Sequence, residues 1–155
     1  MRFDKREDDV PVKEVQRMSL SSSKVCPGAD VTFINQKTWV AVSDIVHATD
    51  FYEEKLGLDG VEDPSDGSRV YACGGGTSLH VYVSPTRAGE PAATLATWYV
   101  TDIEQIVDEL SSSGVTFERY DEPTIKTDDR GIAATSEGKV ARFKDPDGNI
   151  FAIEQ

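Results

Sequence analysis

The most restrictive feature of the sequence is an internal repeat in the order of its predicted elements. A strand with alternating apolar and polar residues precedes Asp44, and a helical pattern follows that stops at Gly57. The same order returns around Asp102 and Gly114. Asp favours the N-cap of a helix, and Gly favours the position just after its end. A chain with such a repeat is expected to fold as two similar units that pack together.

Each predicted helix is followed by further strands, so the repeated unit is larger than one strand and one helix. The helices are predicted over residues 45–56 and 103–113. The strands and loops that complete the two units are 37–42, 69–73 and 78–83 in the first, then 95–100, Val115–Phe117, a polar loop over about 121–138, and a hairpin with arms 139–144 and 149–154. Period-two alternation and Gly- or Pro-containing turns are typical of such hairpins. The sequence therefore predicts an α+β fold of two tandem βαβββ modules, about 37–84 and 94–155.

The N-terminal part of the chain carries no comparable pattern. Residues 1–24 mix charges of both signs without a helical or strand period, and we expect a flexible extension before a single domain over residues 25–155. The first residues are charged rather than apolar, unlike a secretory signal, which predicts a cytoplasmic protein. The two cysteines, Cys26 and Cys73, belong to no zinc or disulfide pattern.

The charge balance excludes one class of partner and favours another. The formal net charge is −12, and no cluster of Lys or Arg interrupts it. Such a chain repels phosphate backbones, so nucleic acid is not expected as a partner, and no apolar run has the length of a membrane span. The negative field would attract cationic small molecules, although the same charge also serves solubility alone.

Two motifs inside the repeat carry a family resemblance. The first is Phe51-Tyr-Glu-Glu-Lys-Leu-Gly-Leu58 in the first helix, and the second is Phe143-Lys-Asp-Pro-Asp-Gly-Asn149 in the last hairpin. In this order, over residues 37–155, they resemble the vicinal-oxygen-chelate superfamily of glyoxalase I, bleomycin-resistance proteins and extradiol dioxygenases. The resemblance implies curved sheets forming an open barrel, helices outside, a ligand cavity inside and a homodimer.

The resemblance also implies four metal-ligand positions, two in each module. In this chain they fall on Lys37, His80, Leu95 and Ala152. A protonated lysine is repelled by a cation, and leucine and alanine have no lone pair to donate. We therefore expect no metal cofactor, because one histidine is too few protein ligands for a catalytic site. Glu154, two residues beyond Ala152, is the side chain that would have to rescue such a site.

Strand alternation predicts which side chains line the cavity. If Leu79 and Val81 pack beneath the helices, His80 faces the opposite way. The expected ligand-binding residues are Lys37, Trp39, His80, Tyr82, Thr97, Tyr99 and Glu154. Aromatic walls with a few polar groups are typical of a small-molecule pocket, but the same side chains could instead fill the barrel completely.

Three functions are compatible with this pattern. The first is a metal-independent protein that binds a small organic molecule, similar to the bleomycin-resistance branch. The second is a lyase, isomerase or dioxygenase acting on a small oxygen-bearing metabolite, with His80 as the candidate catalytic residue and either a non-standard metal site or metal-free acid–base chemistry. The third is an interaction module without a ligand, whose barrel would be filled.

Overall fold

Two successive units, each with a strand, a helix and three further strands of one sheet, make up the part of the chain that the structure describes, and the second unit also contains a separate two-stranded hairpin. The computed structural model describes residues 36–155. The first module contains, in chain order, β1 (Lys37–Val42), α1 (Ile45–Thr49) with a π-helical continuation (Asp50–Lys55), β2 (Gly60–Glu62), β3 (Arg69–Ala72) and β4 (Ser78–Val83). The second contains β5 (Thr94–Tyr99), α2 (Ile103–Ser112), β6 (Asp121–Glu122), β7 (Ile125–Lys126), β8 (Ile132–Ala134), β9 (Lys139–Lys144) and β10 (Ile150–Glu154). The extension predicted over residues 1–24 lies outside the described residues.

The two modules form two mixed sheets with the same topology. The strand orders are β1-β4-β3-β2 and β5-β10-β9-β8. In each sheet the first strand pairs in parallel with the last, and the remaining pairs are antiparallel. Trp39 lies opposite His80 in the first sheet, and Thr97 lies opposite Ala152 in the second, so His80 and Ala152 occupy equivalent positions. The predicted α+β fold of two tandem βαβββ modules is confirmed, and the curved sheets do not close.

The helices pack on one face of the sheets, as their apolar stripes require. Val40 and Val81 are fully buried on the helix side of the first sheet, and Ile103 and Val107 bury the apolar stripe of α2. Both helices begin at a predicted Asp: the side chain of Asp102, for example, accepts a hydrogen bond from the Gln105 backbone N–H. Within residues 36–155, neither helix has the length and apolar character that a membrane crossing requires.

The first helix differs from the continuous α-helix predicted for residues 45–56. Its second half is a π-helix, and the Leu56 N–H donates to the Phe51 carbonyl five residues back. The wider turn lets Phe51 and Tyr52, which are adjacent in sequence, both face the core. Gly57 then ends the helix with a φ of 70°, a conformation that favours glycine.

The second module departs from the prediction between α2 and β9. Val115–Phe117 is not a strand, and only Phe117 makes an isolated antiparallel bridge, to Phe143. The third strand of the module is instead β8, which pairs with the first half of β9 and occupies that edge. The segment 121–138 was predicted as a polar loop, but it contains β8 and the short β6–β7 hairpin. Strand β8 and the β6–β7 hairpin show no clear apolar–polar alternation, because β8 contains small residues and many charged residues surround it.

A buried polar network joins the two motifs that carry the family resemblance. The Tyr52 hydroxyl donates to Asp145 Oδ2 at 2.8 Å, and the Asn149 side-chain amide donates to the same oxygen at 2.8 Å. Asn149 Nδ2 also donates to the Ala41 carbonyl at 2.9 Å. Burial raises the pKa of Tyr52 far above its ordinary value, with the Asp145 carboxylate adding to the effect, so the hydroxyl remains a donor. The first helix is thereby fixed to the last hairpin turn.

Candidate functional site

The helix-free side of the first sheet carries four of the predicted ligand-binding residues. We call this surface the open face; it consists of Lys37, Trp39, His80 and Tyr82. The Trp39 and His80 rings stack with centroids 4.0 Å apart and an interplanar angle of 14°. The edge of Tyr82 meets Trp39 at 5.8 Å, and Lys37 Nζ lies 5.5 Å from the Trp39 ring centroid. The four side chains therefore form one contiguous cluster.

The open face combines a buried imidazole with an exposed aromatic ring. His80 is 3% exposed, whereas Trp39, stacked against it, is 54% exposed. This difference follows from the sheet register, because His80 lies on β4 between β1 and β3, while Trp39 lies on β1 at the edge of the sheet. Trp39 offers an accessible ring to a ligand, and His80 offers a polar group directly beneath that ring.

The loop between β2 and β3 adds side chains that the sequence argument did not include. The Ser68 hydroxyl lies 2.5 Å from His80 Nε2 and donates to Asp66 Oδ1 at 2.6 Å. Ser65 makes the corresponding contact with Asp63, its hydroxyl donating to Asp63 Oδ1 at 2.6 Å. The available signal was the repeated Asp-x-Ser spacing in Asp63-Pro-Ser-Asp-Gly-Ser68, which is typical of side-chain turns. Sequence could not show that this turn reaches His80.

Both carboxylates of this loop are held in their charged form. The side-chain and backbone hydrogen bonds from Ser65 lower the pKa of Asp63, and those from Ser68 lower the pKa of Asp66. Burial opposes the shift in both groups but is the smaller effect. Two anionic groups therefore lie next to His80 at neutral pH.

Among residues 36–155, one group of three or more His, Cys, Asp or Glu side chains converges closely enough to hold a metal ion. It consists of Asp63, Asp66 and His80, whose donor atoms all lie within 4.8 Å of one another. Ser68 already bonds to Asp66 and to His80 Nε2. Glu154, the predicted rescue ligand, does not belong to this group.

The family's ligand positions are unsuitable for a further reason in the second module. The resemblance assigns a ligand position to Leu95, but the pairing of β5 with β10 shifts register there, and Thr94 rather than Leu95 lies opposite Ile150. Neither side chain is an imidazole or a carboxylate. Ala152 is buried in a small apolar cluster with Ala133 and Val140, against which Ile125 of β7 packs. Ile125 of the β6–β7 hairpin therefore packs against the cluster that contains the position equivalent to His80, and Arg142 of β9 lies opposite that position.

The other predicted ligand-binding residues form a second set on β5 and β10. Tyr99 lies opposite Glu154 across the parallel pair and is 81% exposed, and Thr97 lies opposite Ala152. β1 and β5 lie next to each other. However, no hydrogen bond, ion pair or aromatic contact in the described part of the chain joins the open face to this second set. The structure thus brings Lys37, Trp39, His80 and Tyr82 together, and places Thr97, Tyr99 and Glu154 on the neighbouring sheet.

Comparison with known proteins agrees with this architecture. A search of curated proteins finds no match. A solved glyoxalase/bleomycin resistance protein from a Streptomyces species is 28% identical, with a TM-score of 0.56 over 78% of this chain and 99% of that one. A second such protein, from Catenulispora acidiphila, is 25% identical, with a TM-score of 0.56 over 77% of this chain and 96% of that one. UcmS2, 17% identical, shares the fold with a TM-score of 0.61 over 77% of this chain and 95% of its own.

A family model matches most of the chain. The model of the Glyoxalase/Bleomycin resistance protein/Dioxygenase superfamily matches residues 33–153. This match includes both modules, the motif in the first helix and the Asp145–Asn149 turn. The chain therefore belongs to the glyoxalase/bleomycin resistance protein/dioxygenase superfamily.

Proposed function

We propose that the protein binds a small organic molecule, cationic or partly aromatic, on the open face and without a metal. The observation that carries this proposal is the cluster of Trp39, His80 and Tyr82, in which an exposed ring lies over a buried imidazole. Aromatic side chains provide large contact areas at a small cost in side-chain entropy, and their faces attract cations. Thr97, Tyr99 and Glu154 on the adjacent sheet are the proposed outer contacts of the ligand.

Charge supports a cationic ligand. The Lys37 ammonium already lies near the Trp39 ring, in the arrangement of a cation–π pair. At an exposed site such a pair contributes only about 0.5–1 kcal/mol, so a ligand cation that makes further contacts can displace it. The net charge of −12 raises the local concentration of positive molecules around the protein.

The absence of a suitable metal-ligand set at the family's positions supports binding without a metal. Protonated Lys37 has no lone pair to donate to a metal, and Ala152, which packs with Ala133 and Val140, offers no donor atom. The carboxylate of Asp66 and Nε2 of His80 are both engaged by Ser68. Direct contacts from aromatic and polar side chains are sufficient for a small-molecule site.

The effect of Trp39→Ala on ligand binding tests the proposal. If one aromatic wall contributes about 1 kcal/mol beyond area burial, the dissociation constant rises by at least about five-fold. A thermal-shift screen of small molecules, including cationic aromatics, identifies a ligand, and calorimetric titration then measures its affinity. The fold should remain intact, because Trp39 is largely exposed.

Val83→Ala is the matched control. Val83 is similarly exposed, at 52%, but shares the helix-side face of β4 with Val81. We expect this variant to bind as the wild type does. If the library gives no stabilisation, or if Trp39→Ala and His80→Ala bind the hits unchanged, the proposal is wrong.

A further inference from the structure

The two ring nitrogens of His80 have different surroundings. Nε2 lies 2.5 Å from the Ser68 hydroxyl oxygen. Nδ1 is buried and has no hydrogen-bond partner among the described residues. A buried polar atom without a partner destabilises a fold, so its presence at a ligand-binding surface calls for an explanation in terms of the ligand.

The neighbours of Nε2 determine where the protons lie. Asp66 is a carboxylate, which only accepts hydrogen bonds, and its Oδ1 lies 2.6 Å from the Ser68 oxygen. The single hydroxyl proton of Ser68 must therefore point to Asp66. Ser68 is then an acceptor toward His80, so the proton of the neutral imidazole lies on Nε2. The chain runs from His80 Nε2–H to Ser68 and from Ser68 O–H to Asp66, and Nδ1 keeps a free lone pair.

This arrangement differs from that of a serine nucleophile. In a nucleophilic triad the carboxylate accepts a hydrogen bond from the histidine, and the serine hydroxyl donates to the histidine. Here the Asp66 carboxylate instead accepts from the Ser68 hydroxyl itself. Ser68 is also only 2% exposed. Its contacts suit a residue that orients His80 rather than one that attacks a substrate.

We propose that Asp66 and Ser68 are positioning residues that hold His80 as the Nε2–H tautomer, so that Nδ1 accepts a hydrogen bond from an N–H or O–H group of the ligand. This inference rests on the proposed function, since it assigns the ligand to the open face. The Nδ1 lone pair lies in the imidazole plane, so the donor approaches in that plane, while the largely exposed Trp39 ring stacked on the imidazole face supplies the aromatic contact. Pairing of Nδ1 removes the cost of its burial, so ligands with a donor are selected over ligands of the same charge without one.

Nitrogen NMR of the histidine rings tests the tautomer without any ligand. The chain contains two histidines, and the exposed His47 is identified by its loss in His47→Gln. In wild-type protein at a pH where His80 is neutral, we expect Nε2 protonated and Nδ1 bare. Ser68→Ala should shift the ring toward a mixture of tautomers. Ser65→Ala is the matched control, because Ser65 bonds to Asp63 in the same way without contacting His80. A proton on Nδ1 in the wild type would overturn the positioning role.

A pair of probes tests the selectivity. Benzylammonium and trimethylbenzylammonium share one ring and one positive charge, but only the first has N–H donors. The measured quantity is the preference of each protein, defined as the dissociation constant of trimethylbenzylammonium divided by that of benzylammonium. We expect this preference to be at least about ten-fold larger in the wild type than in Ser68→Ala. Ser65→Ala should keep the wild-type preference. Taking the ratio between the two probes removes the effect of their different sizes.

The two experiments separate the possible failures. Binding of both probes with the same preference in wild type and Ser68→Ala would overturn the selectivity while leaving the proposed function intact. Binding of neither probe, with no other cationic aromatic binding, would contradict the proposed function and the ligand part of this inference. The tautomer measured by NMR decides the role of Asp66 and Ser68 in either case.

Discussion

At the residue scale, the same position in the two modules has acquired different chemistry. His80 and Ala152 hold equivalent places in their sheets, each opposite the central part of the first strand of its module. In the first module, Ser68 of the polar β2–β3 turn forms a hydrogen bond with His80. In the second module the β6–β7 hairpin contributes Ile125 to the cluster around the alanine. The chemistry of each position is set by the loop that reaches it.

A prediction about metal content follows from these residues. Protein purified without chelators or a histidine tag should contain well below one equivalent of any divalent transition metal, because Asp63, Asp66 and His80 are the single converging set in residues 36–155 and Ser68 bonds to two of them. Elemental analysis by mass spectrometry measures this directly. Near-equimolar metal that disappears in Asp63→Asn and in His80→Ala, but persists in the exposed loop variant Glu137→Gln, would show that the prediction is wrong.

At the element scale, the buried network explains why the two motifs occur together. Tyr52 belongs to the first helix and Asp145 to the last hairpin turn, 93 residues apart in the chain. The carboxylate of Asp145 accepts from Tyr52 and Asn149 through Oδ2, and from the backbone of Asp147 and Asn149 through Oδ1. A buried carboxylate needs such donors, so the loss of one member leaves the others under-satisfied.

Tyr52→Phe is therefore expected to destabilise the whole fold. Removal of the hydroxyl leaves the buried Asp145 with one donor fewer, which costs about 1–3 kcal/mol of unfolding free energy. Urea denaturation followed by circular dichroism measures the difference. Tyr99→Phe removes the same hydroxyl from an exposed ring and should change stability by less than about 0.5 kcal/mol. Equal effects of the two substitutions would contradict the assigned role of the network.

The sequence predicted the elements well where local rules determine them. Strand β9 has the predicted bounds, and Asp44 and Asp102 begin the two helices as expected. It failed where tertiary packing decides the conformation. The π-helical turn at Asp50–Lys55 follows from the burial of two adjacent aromatic rings, and β8 forms because β9 offers an edge to pair with. Local periodicity carries neither kind of information.

The sequence predicted on which side of the sheet the candidate site lies, but not which loop residues contact it. Period-two alternation was enough to assign His80, Trp39 and Tyr82 to the side of the sheet away from the helices. The contact between Ser68 and His80 joins a turn to a strand 12 residues later, and depends on how the β2–β3 hairpin packs. Residue spacing alone does not predict such a contact. The packing of Ile125, in the β6–β7 hairpin, against the cluster around Ala152 was not predicted for the same reason.

At the scale of the whole molecule, the family resemblance predicts a homodimer. Trp39 and Tyr99 leave large aromatic surfaces exposed on neighbouring sheets, as is common where another molecule binds. Size-exclusion chromatography with light scattering should give a mass of about 34 kDa, twice the 17.0 kDa of the chain. A mass of one chain at all accessible concentrations would contradict the prediction. The same measurement on Trp39→Ala separates loss of assembly from loss of ligand binding.

The hairpin over Ala152 also bears on how this protein could evolve. Replacing Ala152 by glutamate would require a change at one position only, yet it would place a carboxylate beside Ala133, Val140 and Ile125, with Arg142, its pairing partner on β9, as the available counter-ion. The longer side chain would also need space beside Ile125 of β7, which packs against this cluster. Acquisition of a metal site at the family's ligand positions would thus need several coordinated substitutions, because Lys37 and Leu95 would also have to be replaced by residues with donor atoms.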